Sequence, residues 1–594
     1  MRAGLIALPL LAACAATTNV SAPFNTNWQN DAGRSIAEVE RRLRGAPRPP
    51  TVPVVVGVTE SAIIGMPLAG GHRWTQPGRP DTLPAIAGGL VFYSARGRVT
   101  ALDALTGARR WSVSSDGYQL RGAGDDGQVS VLSLGLASER KSLLVAVRRD
   151  GSVSQRLETA VELGRPAVVA GVAFVPWSGQ YVSALDLDSG AEIGRLLTRE
   201  LTSHALAVGG ELFFGERGVL HFDEQIRFAS TNQAERVTLP ERNLPGKPQW
   251  LPPGGELPRL DLGARQRIRI YAAPRWDGTR AGFASGTFVA TYFRALLAFD
   301  ARTAELKWTR AASRSVVGGG AAASGFVLCT ADGKALRLGA DGGDAGSIEF
   351  GVELRACAVE ASTLTLTPRD TLPALQAQVR RVLTELDPEM AAAQAFLVTE
   401  LGRSDDPLVT KSLIELTTSP RLPPDARTRA RELLARRRNG AEFMLAALDQ
   451  PYDALRSDAL PPPVGPIADA LAAMREKRAA PLLARHLNDP ATLSEDVEHA
   501  ARALTELATE AELPSLRTFF ALYRGTADEP SLVQAVVAVA SAILRIGGVD
   551  GKALVERAAR DPLTEPDVAR ALTSLMSASP PAARNAARAP SAAE

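Results

Sequence analysis

Three stretches of this chain align without gaps: Val99-Thr-Ala-Leu-Asp-Ala-Leu-Thr-Gly-Ala-Arg-Arg-Trp111, Val182-Ser-Ala-Leu-Asp-Leu-Asp-Ser-Gly-Ala-Glu-Ile-Gly194 and Leu296-Leu-Ala-Phe-Asp-Ala-Arg-Thr-Ala-Glu-Leu-Lys-Trp308. Each reads as a strand with alternating apolar residues, a turn, and a second strand. Asp103, Asp186 and Asp300 share one column, Gly107 and Gly190 another, and Trp111 and Trp308 end two of the copies. The glycine suits a turn position that needs positive φ. Ala304 stands in that column in the third copy, so its turn must differ. Aspartates that recur once per repeat at the same turn read as structural, and the tryptophans read as core packing.

A second column gives the period. Gly89, Gly171, Gly210, Gly286 and Gly325 each precede an apolar strand, at intervals of 82, 39, 76 and 39 residues. A unit of about 40 residues built from short strands is the mark of a β-propeller. The five glycines stand for five units, and the gaps near 130 and 250 have room for two more. The N-terminal segment Val54 to Trp74 ends in Leu68-Ala-Gly-Gly-His-Arg-Trp74, matching Leu105 to Trp111. At the other end, Arg355 to Val359 and Thr363 to Thr367 read as two strands with no outer strands after them. Joining the two ends completes one blade and closes the ring, removing open sheet edges. This predicts an eight-bladed propeller over residues 50–367, with seven blades as the alternative. Pro240 to Pro258 carries six prolines and reads either as a projecting loop or as a degenerate blade.

After Pro373 the apolar period changes from 2 to about 3.6. Ile467, Ala470, Leu471 and Met474 mark one helix, and Val497, Ala500, Ala501 and Leu504 another, with Ser494 placed to cap it. Ala470-Leu471 and Pro481 recur 33 residues later as Ala503-Leu504 and Pro514. Looser copies run through Leu433, Leu434 and Phe443 and through Ile543, Ile546 and Leu554. Both prolines suit the first turn of a second helix. Residues 464–488 resemble a HEAT repeat. Four or five such pairs between Thr371 and Met576 predict an α-solenoid over residues 368–576, each pair covered only by its neighbours. The Ala/Pro/Ser-rich tail, residues 577–594, reads as disordered. The fold class is therefore multidomain, an all-β propeller followed by an all-α stack.

The first residues read as an address. Arg2 precedes an apolar run, Leu5 to Ala13, too short to span a bilayer. It ends in Leu11-Ala12-Ala13-Cys14, which resembles the lipobox of bacterial lipoproteins. The resemblance implies a signal peptide over residues 1–13, lipidation of Cys14, and a tether and linker over 14–49. The plain alternative is an ordinary signal peptide cut after Ala13-Cys14-Ala15. Stable anchoring needs more than one acyl chain. Ala15 follows the cysteine, which by resemblance to enterobacterial sorting implies the outer membrane.

Composition adds little direction. The 594 residues carry 67 basic and 65 acidic side chains, a formal net charge of +2, so no global field pulls the chain toward nucleic acid. The arginines at 427, 429, 431 and 436–438 read as a solvated helix face. Cys329 and Cys357 remain beside Cys14; they pair in an oxidising compartment only if their Cα atoms approach closely, and spacing leaves that open.

The repeat resembles that of the pyrroloquinoline-quinone-enzyme-like propellers. That superfamily contains quinone-dependent dehydrogenases and also the non-catalytic propeller lipoprotein of the outer-membrane β-barrel assembly machinery. A dehydrogenase of this kind needs calcium ligands, an aspartate base and, in the alcohol dehydrogenases, adjacent cysteines. This sequence has no adjacent cysteines, and His72, His204, His221, His486 and His499 are scattered. It has no H-E-x-x-H, G-x-S-x-G or Walker motif, and the glycine run Gly318 to Gly320 lies between strands. No catalytic, cofactor or metal residue is assigned. With its lipobox the chain looks more like the second kind: a lipid-anchored scaffold, facing the periplasm, that binds envelope proteins. The alternatives are a quinone- or ligand-binding propeller enzyme, and a surface-exposed lipoprotein of adhesion or motility.

Overall fold

A computed structural model of the chain describes residues 23–24, 39, 41–47, 49–136, 139–197, 204–208, 211–216, 219–221, 269–271, 287–300, 305–452 and 460–578. Two compact units divide at Pro373/Ala374.

The first unit is a ring of antiparallel sheets. β4–β7 (Ala85–Ala87, Leu90–Ala95, Arg98–Asp103, Arg109–Ser114) form one blade in sequence order. β8–β11 (Gln119–Asp125, Val129–Gly135, Ser142–Arg148, Val153–Thr159) form the next, filling the gap near residue 130 with a full blade. β12–β15 (Ala167–Val169, Val172–Trp177, Tyr181–Asp186, Glu192–Leu197) make a third; β16–β18 (His204–Val208, Glu211–Glu216, Val219–His221) give three strands of a fourth. β19–β22 (Arg269–Tyr271, Thr287–Tyr292, Ala295–Asp300, Leu306–Ala311) follow. β23–β26 (Val316–Ala322, Gly325–Thr330, Lys334–Gly339, Asp344–Glu349) complete the run.

The last blade is shared between the chain ends. β27 (Ala356–Glu360) pairs with β1 (Val54–Val58), which continues through β2 (Ala62–Pro67) to β3 (Trp74–Pro77). The ring closes as the sequence implied, with one correction. Residues 363–367 are not a second strand. Three N-terminal strands already fill the blade, so the chain turns aside, and Ser324 Oγ donates to Leu366 O at 3.0 Å and accepts from its N–H at 2.6 Å. Seven blades stand among the described residues; the expected unit near 250, with Pro240 to Pro258, lies outside them.

The repeat motif builds the same irregularity each time. Ala101 pairs with Trp111, Ala184 with Gly194 and Ala298 with Trp308, and in all three the register shifts at the next residue. This bulge bends the outer strand. Two tryptophans of outer strands reach the neighbouring blade. Trp74 Nε1 donates to Ala104 O and Trp308 Nε1 to Ala340 O, each at 2.9 Å. Beneath the rings lie Gly107 (φ 71°) and Gly342 (φ 84°), where a Cβ would sit 2.7 and 2.6 Å from the indole. These glycines are required twice over, by the turn and by the ring. Trp111 takes the same place but its buried Nε1 finds no acceptor. The glycine run has a different cause: β23 and β27 run parallel in contact, and a Cβ on Gly318 would lie 2.2 Å from Cys357 O.

Cys329 Sγ is bonded to Cys357 Sγ, with Cα atoms 6.4 Å apart. The bond joins β24 to β27 and is fully buried among Val55, Ile64, Phe350 and Leu354.

The described parts of the expected linker are not free. Phe24 is buried edge-on to Trp177, with ring centroids 5.9 Å apart, and Val39 packs on Ala167, Val169 and Phe174. Burial of these apolar side chains is the physical reason that this stretch departs from a plain tether.

The second unit holds twelve described α-helices. They are α1 (Leu375–Leu383), α2 (Ala391–Gly402), α3 (Pro407–Thr417), α4 (Pro424–Ala435), α5 (Ala441–Asp449) and α6 (Val464–Ala473). There follow α7 (Ala480–Leu487), α8 (Ser494–Leu507), α9 (Leu513–Tyr523), α10 (Pro530–Ile546), α11 (Gly548–Arg560) and α12 (Pro566–Ala578). From α2 onward the even helices pack on one another closely, and α3, α5, α7 and α9 pack on one another loosely, so the helices form two layers. Ile467, Ala470, Leu471, Ala500, Ala501 and Leu504 are all fully buried between neighbours. Pro481 and Pro514 sit in the first turns of α7 and α9, as their missing N–H groups allow. Ser494 is a correction: it is the first residue of α8, Leu493 holds the cap position, and no side chain caps the helix. Glu495 and Asp496 in its first turn supply the favourable negative charge instead.

Candidate functional site

The inner ends of several blades enclose a cleft of about 450 Å³, open mouth included, lined by Ile86, Ala123, Asp125, Arg165, Ala167 and Glu360 among others. These residues come from β4, β8, β12, β27 and the turns beside them, so the cleft lies at the propeller axis. The chain segment Pro49–Val52 forms part of its wall.

The polar group of the cleft is built by one turn. Asp125 ends β8, and its Oδ1 accepts from Gly127 N and Arg149 Nη2, both at 2.7 Å, while Oδ2 accepts from Ser130 Oγ at 2.5 Å. Arg149 also donates to Gly127 O at 2.7 Å and to Gly88 O at 3.1 Å in the preceding blade. Asp126 faces the other way: its Oδ2 accepts from Gly171 N at 3.0 Å in the following blade. Arg165 Nη2 donates to Ile86 O at 2.7 Å. Adjacent aspartates thus clamp three consecutive blades. Burial pushes the Asp125 carboxyl up to about 6, against the opposing pull of the Ser130 bond and the Arg149 charge.

Sequence reading missed this cluster. The blade β8–β11 lacks the Gly-Gly turn of Gly88-Gly89 and has Asp125-Asp126-Gly127 in its place, so the glycine column passed over it. The signal available was the pair Asp-Asp-Gly and Arg149-Asp150-Gly151 at the two hairpins of one blade.

The residues singled out from the sequence fall elsewhere. Asp103 Oδ1 accepts from Leu105 N at 3.1 Å and from Thr106 N and Oγ1 at 3.0 Å, and Oδ2 accepts from Arg110 at 2.7 Å. Asp186 Oδ1 accepts from Asp188 N at 2.9 Å and Ser189 N at 2.8 Å, and Arg42 pairs with its other oxygen. Burial alone would raise both carboxyls, yet these bonds and charges outweigh it and hold them below the ordinary value. They are turn caps, each at the start of its outer hairpin. Asp300 ends β21 as its counterparts end their strands, while Cys14, Gly210, Gly286 and Ala304 lie outside the described residues.

In the helical unit His486 Nε2 lies 2.8 Å from Leu448 O, and His499 Nδ1 lies 2.7 Å from Asp469 Oδ2. The arginine face is a correction. Arg437 is buried and donates to Thr410 Oγ1, Ser404 O, Asp406 O and Asn439 Oδ1, while Arg431 reaches buried Asp496 at 2.5 Å. Each guanidinium satisfies carbonyls or a carboxylate that the helix ends and first turns leave open. Among the described residues no three His, Cys, Asp or Glu side chains stand together as a metal site, and no helix is long and apolar enough to cross a membrane.

Successive antiparallel sheets of three or four strands and a blade shared by two distant segments define a β-propeller. Residues 55–225 match the family model PQQ_2, described as "Outer membrane protein assembly factor BamB". BamB of Moraxella catarrhalis is similar in structure, with 13% identity and a TM-score of 0.30, over 53% of this chain and 90% of that one. Sqt1 of Saccharomyces cerevisiae shows 10% identity and a TM-score of 0.33, over 52% and 86%. AztD of Citrobacter koseri shows 10% identity and a TM-score of 0.30, over 52% and 84%. No curated protein sequence matches the chain.

Proposed function

We propose that this protein is a non-catalytic scaffold of the cell envelope that binds protein partners, β-barrel assembly components first among them. The observation that carries the reading is the family match over residues 55–225, whose description names an outer-membrane protein assembly factor. The cleft chemistry supports it: its aspartates and arginines are bonded to backbone and to each other across blade boundaries, a use that stabilises a platform. The helical unit adds a HEAT-like stack, a form that offers an extended surface for proteins or peptides. Lipidation of Cys14 would hold the protein at the outer membrane with its folded units in the periplasm.

In-cell crosslinking of the tagged, full-length protein, followed by affinity capture and mass spectrometry, tests the reading. Recovery of outer-membrane β-barrels or their assembly subunits supports it. Recovery of the chain alone, together with stoichiometric uptake of pyrroloquinoline quinone and calcium by the purified protein, overturns it in favour of an enzyme. Protease access on intact cells separates a surface-exposed lipoprotein from a periplasmic one. A Cys14→Ser chain that still fractionates with the membrane would overturn the anchor.

A further inference from the structure

From residues 39–52 we infer an internal strap that covers one end of the propeller channel against partners. The sequence Val39, Leu43, Ala46 places apolar residues at i, i+4 and i+7, and residues 41–43 are helical. Val39 is 1% exposed, and Leu43 and Ala46 pack with it on Ala167, Val169, Ala170 and Val172. Arg42 pairs with the turn-capping Asp186 of the same blade. The chain then passes over the two preceding blades. Pro50 Cγ lies where a side chain on Gly127 would meet it at 3.1 Å, and Val52 Cγ2 meets Gly89 in the same way at 3.3 Å. Leu68 N donates to Pro53 O at 2.9 Å as the chain enters the shared blade.

Every one of these contacts falls on one face. Gly88-Gly89, Asp125 to Gly127 and Ala170-Gly171 are the turns between first and second strands, and Asp186 opens the turn between third and fourth. Because antiparallel strands alternate in direction, the turns between second and third strands, such as Arg96-Gly97 and Ser178-Gly179, lie at the other end. Pro49, Pro50, Thr51 and Val52 wall the axial cleft on the strapped side. A peptide approaching the axis from that side meets the strap before it meets the blades. The turns of the opposite face lie outside these contacts, and Phe24 packs on Trp177 beside one of them.

Thiol accessibility in the full chain, on a Cys14→Ser background, tests this. Val39→Cys should react with a maleimide at least tenfold more slowly than Leu105→Cys, whose parent side chain is 48% exposed. Equal rates would overturn the strap. A second reporter, Ala87→Cys at the cleft wall, should react about tenfold faster when Arg42→Ala and Leu43→Asp are added. An unchanged rate at Ala87→Cys, in a chain whose β-sheet circular dichroism is intact, would overturn the occlusion. Should that triple variant fail to fold, the Val39→Cys comparison decides alone.

Discussion

Reducing the Cys329–Cys357 disulfide should open the propeller at its seam. The bond spans 28 residues of chain and ties the closing strand β27 to β24 of the neighbouring blade. In the chain-entropy model, a closed loop of that length lowers the entropy of the unfolded state enough to stabilise the fold by about 3.5 kcal/mol. With an unfolding entropy of about 2 cal/mol/K per residue over a propeller of roughly 300 residues, that corresponds to a drop of about 6 °C in Tm. Differential scanning calorimetry of the full chain, oxidised and then reduced, measures it without any change of side-chain volume. The double variant Cys329→Ala/Cys357→Ala should fall at least as far, because two buried sulfurs are also lost. Limited proteolysis should cut next to β27 first in the reduced protein. A propeller transition that does not move on reduction would refute the reasoning, for it would mean that the pairing of β27 with β1 holds the ring unaided.

Four further outcomes are expected. Trp74→Phe and Trp308→Phe should each cost about 1–2 kcal/mol more in urea unfolding than Trp111→Phe, since the first two leave a buried carbonyl without its indole donor and the third removes an unpartnered N–H. Equal costs would show that the hydrogen bond contributes nothing. Asp125 titrates in the fold near 6 against an ordinary 3.8, so the folded state holds its proton more tightly than the unfolded one. Its contribution is greatest below about 4 and is lost as pH rises through 6, by roughly 3 kcal/mol in all; Asp125→Asn should flatten the pH dependence of the urea midpoint across that window. His499 is raised first by its hydrogen bond to Asp469, so its contribution is present below the unfolded value of 6.5 and is lost as pH rises through the higher folded value. Its imidazole resonances, followed by NMR against pH, should show the raised midpoint in the native chain and its loss in Asp469→Asn. Gly342→Ala should destabilise by at least about 2 kcal/mol, as positive φ and the Trp308 ring both exclude a Cβ; a thermal midpoint matching the parent chain would refute that account.

Much of the propeller was legible because its repeat is written in residues with one physical use. The A-[LF]-D hairpins, their glycines and the split closing blade all follow from positions that tolerate few alternatives. The helical stack was legible through its apolar period and its first-turn prolines, which act within a few residues of themselves. What escaped depended on contacts between distant segments. Arg437 looks like any surface arginine until Thr410 and the carbonyls of Ser404 and Asp406 are brought around it. Val39 looks like linker until the blade β12–β15 is beneath it. The Asp125 cluster was hidden because the blade that carries it abandons the glycine turn by which the others were recognised. Ser494 shows the limit at helix ends, where a one-residue shift in the start removes a cap.

The shared blade also sets a condition on how the protein is made. Its outer three strands are synthesised by residue 77, and the strand that completes it arrives only at residue 356. At translation rates of about 5–20 residues per second, β1 waits roughly 15–60 seconds for its partner. Through that interval the nascent ring presents an unpaired edge of five buried-type residues, Val54 to Val58, able to recruit any extended chain nearby. Closure of the ring therefore depends on this edge staying unoccupied until β27 has been made.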